Sequence, residues 1–305
     1  AQHVGIDNIK DLIGLGVRAE ELGYDSLWVN HHVLHVGYVK DRLGTRPYQD
    51  ALTVLTWIAS RTETMKLGTS VLVMPYLHPM VLAKQIATLD SLSRGRFFPA
   101  VGLGQEEPEE YEACGVPKGD RARRTDEAIT LMRRLWEEES VTHEGDFYTC
   151  HNVSITPKPV FEPSPPVWIG GRSSAAAKRV GRVGDGWLVS AATTQEISDG
   201  RDIVFETAEQ CDREIEKDHI GVMLGYYITP DVEEATTKAH DFITRHRPDV
   251  YFTEYTALGP VDQIAEVINS YSEAGASKFV VRPMCPAEEA MEQLEIMGSE
   301  VLPMF

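Results

Sequence analysis

Cationic side chains are scarce in this sequence. Its 305 residues carry 29 Lys and Arg against 47 Asp and Glu, a formal net charge of −18. That balance argues against non-specific binding to nucleic acid or to an anionic membrane surface. Any anionic ligand must be held by a local site, against the overall field. Cysteine is sparse too. Cys114, Cys150, Cys211 and Cys285 stand far apart with no CxxC spacing, so neither a disulfide framework nor a zinc site is expected. Reduced thiols and a cytoplasmic setting are the expectation. No apolar run approaches the roughly 20 residues of a membrane helix. The residues given show no signal-peptide pattern. They also lack an initiator methionine, so residue 1 is not expected to be the native start. A third glycine is missing after Gly102-Leu103-Gly104, where Glu107 stands, which leaves a Rossmann fingerprint weak.

What is present is an ordinary globular composition, 42% hydrophobic and 25% charged, enough for one large α/β barrel or two smaller domains. Strand and helix patterns alternate. The periodicities predict helices over 9–22, 48–62, 80–93, 125–138, 198–216, 232–246 and 261–273, and a last one starting near Ala287. Strands are predicted over 24–29, 65–74, 96–101, 167–169, 187–190, 220–227 and 278–282. Alternating βα units imply a parallel sheet. Seven strands are one short of a closed (β/α)8 barrel. The missing first strand is expected before Ile9, lost or reduced to a remnant over 2–6. Long polar excursions over 104–124 and 139–166 are expected to build the functional face. No repeat or linker breaks the chain, so 1–305 reads as a single domain.

The most informative stretch runs from Pro166 to Val189. Val167-Trp168-Ile169 reads as a buried strand, Gly170-Gly171 as a tight turn, and Ser173 as the cap of a helix that Gly184 ends. Strand, Gly-Gly turn and helix N-terminus make an anion site, and Arg172 can fork onto a phosphate. An ordinary βα turn would carry the same local pattern. His31, His32 and His35 cluster at a strand end, but adjacent residues on an extended segment point opposite ways, so a shared metal ion is not expected. His32 reads as a polar group at a strand mouth and His31 as solvated. The run Glu106, Glu107, Glu109, Glu110 and Glu112 reads as the start of a solvated helix. Lys158 reads as structural, and Trp28 and Trp168 as core. Arg121, Arg123 and Arg124 could equally meet an anionic tail or water.

Several blocks then line up. Leu22-Gly23-Tyr24-Asp25-Ser26-Leu27-Trp28-Val29 leads to Asn30-His31-His32, and Leu67-Gly68-Thr69-Ser70-Val71-Leu72-Val73 to His78-Pro79. Ala83-Lys84-Gln85, Ala87-Thr88-Leu89-Asp90, Gly95-Arg96, Val101-Gly102-Leu103-Gly104 and Pro157-Lys158-Pro159 follow in order. Together they resemble the bacterial luciferase-like family of flavin and deazaflavin enzymes, most of all its coenzyme F420-dependent branch. The resemblance implies a TIM-like barrel with F420, or alternatively FMN, at the strand C-termini. It implies hydride transfer to or from the deazaflavin ring, a small organic substrate and a homodimer.

By position, His32 matches a histidine beside the ring and is the expected catalytic residue. Ser70-Val71 matches a non-proline cis peptide behind the ring, Val73 a ring contact, and Leu103-Gly104 a loop along the cofactor. Gly170-Gly171 with Ser173 and Ser174 matches a phosphate cradle, to which Arg172 adds charge. Two departures stand out. His31 occupies the place of an acid, and Gln105 that of the glutamate that takes the proton in the family's sugar-phosphate dehydrogenases. An amide cannot act as that base, and Pro108 replaces an amide contact to the cofactor, so that substrate is not carried over. His31, Gln105 and Glu106 are candidate substrate contacts. An FMNH2-dependent monooxygenase and a non-catalytic cofactor-binding paralogue are the alternative functions.

Overall fold

A computed structural model describes residues 6–104, 109–243 and 247–305. Two compact packing units divide the chain, Trp28–Gly170 and Gly171–Phe305, the second joined by the stretch that ends at Leu27. That stretch carries α1 (Ile9–Glu21), capped by the Asn8 side chain and closed at Gly23, whose φ is 84°. The expected strand remnant at Gln2 to Gly5 lies outside the described residues, and Ile6 is coil.

The first unit opens with β1 (Ser26–Val29), α2 (Gly37–Leu43) and α3 (Ala51–Ala59). The predicted strand over 65–74 is two segments, β2 (Lys66–Thr69) and β3 (Leu72–Val73), parted at a cis Ser70–Val71 peptide. After α4 (Pro79–Ser93), Pro99 parts the next strand into β4 (Phe97–Phe98) and β5 (Ala100–Gly102), because proline has no N–H for a ladder. There follow α5 (Glu109–Ala113), α6 (Arg121–Glu137), an antiparallel hairpin of β6 (Val141–Glu144) and β7 (Thr149–Val153), and β8 (Trp168–Gly170). The excursion over 139–166 thus holds a hairpin that its polar sequence did not announce. β2 pairs with β4, β3 with β5 and β5 with β8, all parallel.

The motif residues of this unit build scaffold. Arg96 spends its guanidinium on the ends of α3 and α4, donating to Ser93 O, Met65 O, Thr62 Oγ1, Ala59 O and Thr62 O. Buried Asp90 accepts the N–H groups of Val160 and Phe161. Lys158 donates to Leu135 O and Glu138 O, neutralising the carbonyl end of α6, which makes it structural as expected. Trp28 and Trp168 meet edge to face at 6.1 Å in the core.

The second unit continues with α7 (Ser174–Val183), β9 (Gly186–Ser190), α8 (Thr194–Gln210), β10 (Ile220–Ile228) and α9 (Val232–His240). It ends with β11 (Thr256–Gly259), α10 (Val261–Glu273), β12 (Lys278–Pro283) and α11 (Ala290–Ile296). β10 is the hub. Along one edge Gly221–Tyr226 pair with β12, and the other edge meets β9 at Ile220–Met223 and then β11 at Gly225–Ile228. β11 is not among the predicted strands, since the four residues before Pro260 show no alternation. α8 starts four residues earlier than expected because Thr193 and Glu196 form a capping box. α9 ends at His240, short of the predicted 246.

Candidate functional site

The C-terminal ends of three parallel strands form one row in the first unit. Val73 pairs with Gly102, and Val101 with Ile169, so Gly170 ends the same row. Two glycines of this segment are glycine for a steric reason. A Cβ on Gly102 would lie 2.7 Å from Val71 Cγ2. Gly104 has φ 84°, and a Cβ there would lie 2.7 Å from Val73 Cγ1 and 2.8 Å from Tyr111 Oη. Both positions therefore exclude any larger residue. The cis Ser70–Val71 bond matches the peptide implied by the family resemblance.

The segment after β1 is stitched onto this row. Ser70 N donates to Val29 O at 2.9 Å, and Ser70 Oγ to Asn30 Oδ1 at 2.7 Å. Val73 N donates to His31 Nδ1 at 3.2 Å. An imidazole nitrogen that accepts a backbone N–H is unprotonated, so neutral His31 carries its proton on Nε2. His31 is not solvated as expected: its exposure is 6%. Burial pushes its pKa below the ordinary 6.5, with a smaller contribution of the same sign from His32; Asp50 and Glu110 pull the other way.

His32 has a side-chain exposure of 12% and meets the Tyr48 ring edge to face at 5.5 Å. Its Nδ1 stands 3.6 Å from Glu110 Oε2. Glu110 corrects the reading of the acidic run as a solvated face. It is 6% exposed, and its Oε1 accepts Val33 N at 2.8 Å and Leu34 N at 3.1 Å. Burial pushes its carboxyl up. The His32 contact and the two backbone N–H groups outweigh that and leave it below the usual range. The signal in sequence was faint: Glu110 precedes Tyr111, and an apolar neighbour turns part of α5 inward. Tyr111 is buried, stacks edge to face on Tyr76 at 4.9 Å and donates its hydroxyl to Leu103 O. Gln105, Glu106 and Pro108 lie outside the described residues.

The second unit resumes at Gly171. Its φ is 133°, and a Cβ would lie 2.8 Å from Ala176 Cβ. Its N–H donates to Leu188 O at 3.3 Å and its carbonyl accepts Trp187 Nε1 at 2.7 Å, so Gly171 shapes the turn and its own amide is taken. Ser173 caps α7, accepting Ala176 N. Ser173 and Ser174 are exposed, and Ser173 O takes the Ala176 and Ala177 amides at 2.8 and 3.0 Å. Arg172 turns to Ala191 O at 2.6 Å and lies 3.7 Å from Glu196. Arg247 joins it, with Nη1 2.6 Å from Glu196 Oε2. Of the helix α6 arginines, Arg123 pairs with Asp120, and Arg124 lies over the Phe147 and Tyr148 rings.

The sequence model of the luciferase-like monooxygenase family matches residues 1–295. An F420-dependent glucose-6-phosphate dehydrogenase of Intrasporangium calvum is 36% identical over 62% of this chain. The matched stretch spans only 56% of that relative's length. A protein of the same name from Kribbella flavida is 30% identical over 97% of this chain and 94% of its own. Among solved structures, an F420-dependent secondary alcohol dehydrogenase in complex with an F420-acetone adduct has the same fold. It superposes with TM-score 0.82 at 22% identity, covering 97% of this chain and 94% of the other.

Proposed function

The chain belongs to the luciferase-like monooxygenase family, and from that membership we propose that it is an F420-dependent oxidoreductase acting on a small organic substrate. The names of its relatives support the cofactor. The observation that carries the reading is the glycine-bearing row of strand ends in the first unit. Gly102 and Gly104 each stand where a Cβ would come within 3.0 Å of a neighbour, so Val71, Val73 and Tyr111 close on the backbone there and no side chain projects from these two positions. These residues of the first unit fit a flat ring. Val71, Val73, Leu103 and Gly104 hold the ring, with Ser70 fixing the bulge beneath it. Within the second unit, Gly171, Ser173 and Ser174 at the start of α7 take a phosphate, and Gly170 ends the strand before them. Arg172 adds charge beside it. F420 bound there supplies two-electron hydride chemistry.

His32 holds or releases the accompanying proton. His31 keeps Val73 in place and borders the substrate, whose other contacts fall to Gln105 and Glu106. Gln105 cannot take a proton, so a sugar phosphate is not the substrate we favour. We read residues 1–305 as one catalytic domain, since the family match runs through both packing units. A cytoplasmic homodimer is the expected form, two-fold dimers being the commonest soluble assembly; a monomer in light scattering at micromolar concentration would contradict it.

The test titrates the purified protein with F420 and with FMN, then follows F420 absorbance with candidate alcohols and carbonyls. F420 should bind, and His32→Ala should cut turnover by about 10²–10⁴-fold while binding F420 nearly as well. Binding of FMN but not F420 overturns the cofactor assignment, and wild-type turnover in His32→Ala overturns the role of His32.

A further inference from the structure

We propose that Glu110 is the positioning residue for His32, fixing which ring nitrogen carries the proton and so presenting Nε2 as the proton-handling atom. The argument rests on the reading of His32 given above and on three observations. First, Glu110 is buried, and a buried carboxylate persists only where its oxygens are satisfied. Second, its two oxygens face different partners. Oε1 accepts the Val33 and Leu34 amides, so the carboxylate is tied to the two residues that directly follow His32 in the chain. Oε2 is left facing His32 Nδ1 at 3.6 Å. Third, the neighbouring histidine is ruled out of the same part. His31 Nδ1 already accepts Val73 N, and the ring is locked in the opposite tautomer.

The consequence is chemical. A carboxylate oxygen can only accept, so neutral His32 is favoured with its proton on Nδ1 and a bare lone pair on Nε2. When Nε2 takes a proton, the imidazolium that forms stands beside a negative oxygen. The arrangement is that of a base oriented by a buried acid. α5 carries the acid, and its next residue, Tyr111, holds Leu103 O. One short helix therefore ties the orientation of His32 to the Leu103–Gly104 loop.

Glu110→Gln tests this without removing volume. The amide oxygen must stay on the Val33 and Leu34 N–H groups, so its NH2 turns to His32 Nδ1. A donor there forces Nδ1 to accept and moves the proton to Nε2. Nitrogen-15 imidazole spectra of the full chain, alone and loaded with F420, should show His32 with Nδ1–H in the wild type and Nε2–H in Glu110→Gln. Turnover in Glu110→Gln should fall by about 10–10²-fold, with the F420 dissociation constant within about twofold of wild type. Glu110→Asp keeps an acceptor and should retain the wild-type tautomer.

A His32 tautomer unchanged by Glu110→Gln overturns the proposal. So does wild-type turnover in Glu110→Gln when His32→Ala is impaired. If His32→Ala turns over normally, the reading of His32 fails instead, and the spectra still decide whether Glu110 orients the ring. A thermal melt of each variant shows that it is folded before its spectrum is interpreted.

Discussion

Gly171→Ala is the sharpest test of the phosphate cradle, because it adds one methyl at a position with two independent objections to it. The backbone sits at φ 133°, a region that L side chains rarely adopt; holding it there costs about 1–3 kcal/mol. The new Cβ would also stand 2.8 Å from Ala176 Cβ. Ala176 is buried in the first turns of α7 and cannot swing aside, so overpacking adds about 1–3 kcal/mol. A stiffer unfolded chain returns about 0.4–1 kcal/mol. A net loss of about 1–6 kcal/mol follows, and at about 2–4 °C per kcal/mol the melting temperature should fall by at least about 2 °C. The strain relaxes most easily by lifting the turn off α7, which displaces the residues assigned to the phosphate. Losing one or two charge-assisted bonds of about 1.5–3 kcal/mol each raises the F420 dissociation constant by at least about tenfold. Fluorescence titration well below the melting temperature measures this. Gly115→Ala is the control. Its φ is 67° and nothing lies within 4 Å of the added methyl, so it should lower the melting temperature and leave affinity alone. F420 affinity in Gly171→Ala within twofold of wild type, beside a depressed melting temperature, refutes the cradle.

Two further outcomes are expected. Arg96→Ala leaves four backbone carbonyls and the Thr62 hydroxyl without their donor, which should cost about 3 kcal/mol or more. Arg96→Lys should recover less than half of it in chemical denaturation, because one ammonium cannot fork between α3 and α4. His31 is held below its ordinary pKa of 6.5 by burial, so its contribution to stability is full above that value and is lost as pH falls through it, the unfolded chain taking the proton first. Melting temperatures taken from pH 7 to 5 should therefore fall less in His31→Asn, whose amide oxygen can still accept Val73 N; parallel curves would count against the assignment. Glu110, depressed from 4.5, adds its own loss only below that lower value.

Much of the fold was legible because strand runs such as 220–227 are apolar enough to be buried on both faces, and because caps are local chemistry. Ser173, Gly23 and Gly184 each act within three or four residues of themselves, so their roles follow from spacing. Where reading failed, the information lay elsewhere in the chain. β11 is four residues whose ladder partner is Gly225–Ile228, some 30 residues away, and nothing in Thr-Ala-Leu-Gly reveals that edge. The hairpin over 141–153 hangs on Glu127, which accepts Phe147 N and Tyr148 N across about 20 residues and meets His143.

The site divides along the same line. Glycines at the row were visible as glycines, and their need is steric, so the sequence nearly states it. The histidines were visible only as a pair. Their different fates depend on two groups in the folded chain, Val73 N and Glu110, which lie 42 and 78 residues beyond the histidines they face. A charge run suggests a wet surface because five carboxylates cannot all be buried. It says nothing about one of them, and one is enough when two backbone amides and an imidazole are waiting for it. The departure at His31 takes on a different meaning in that light. At that place the neutral ring accepts the Val73 N–H, and Glu110 is a carboxylate that faces His32 Nδ1 at 3.6 Å. On the proposal that Glu110 orients His32, the acid missing at His31 has its counterpart on α5, and Glu110→Gln is the variant that decides it.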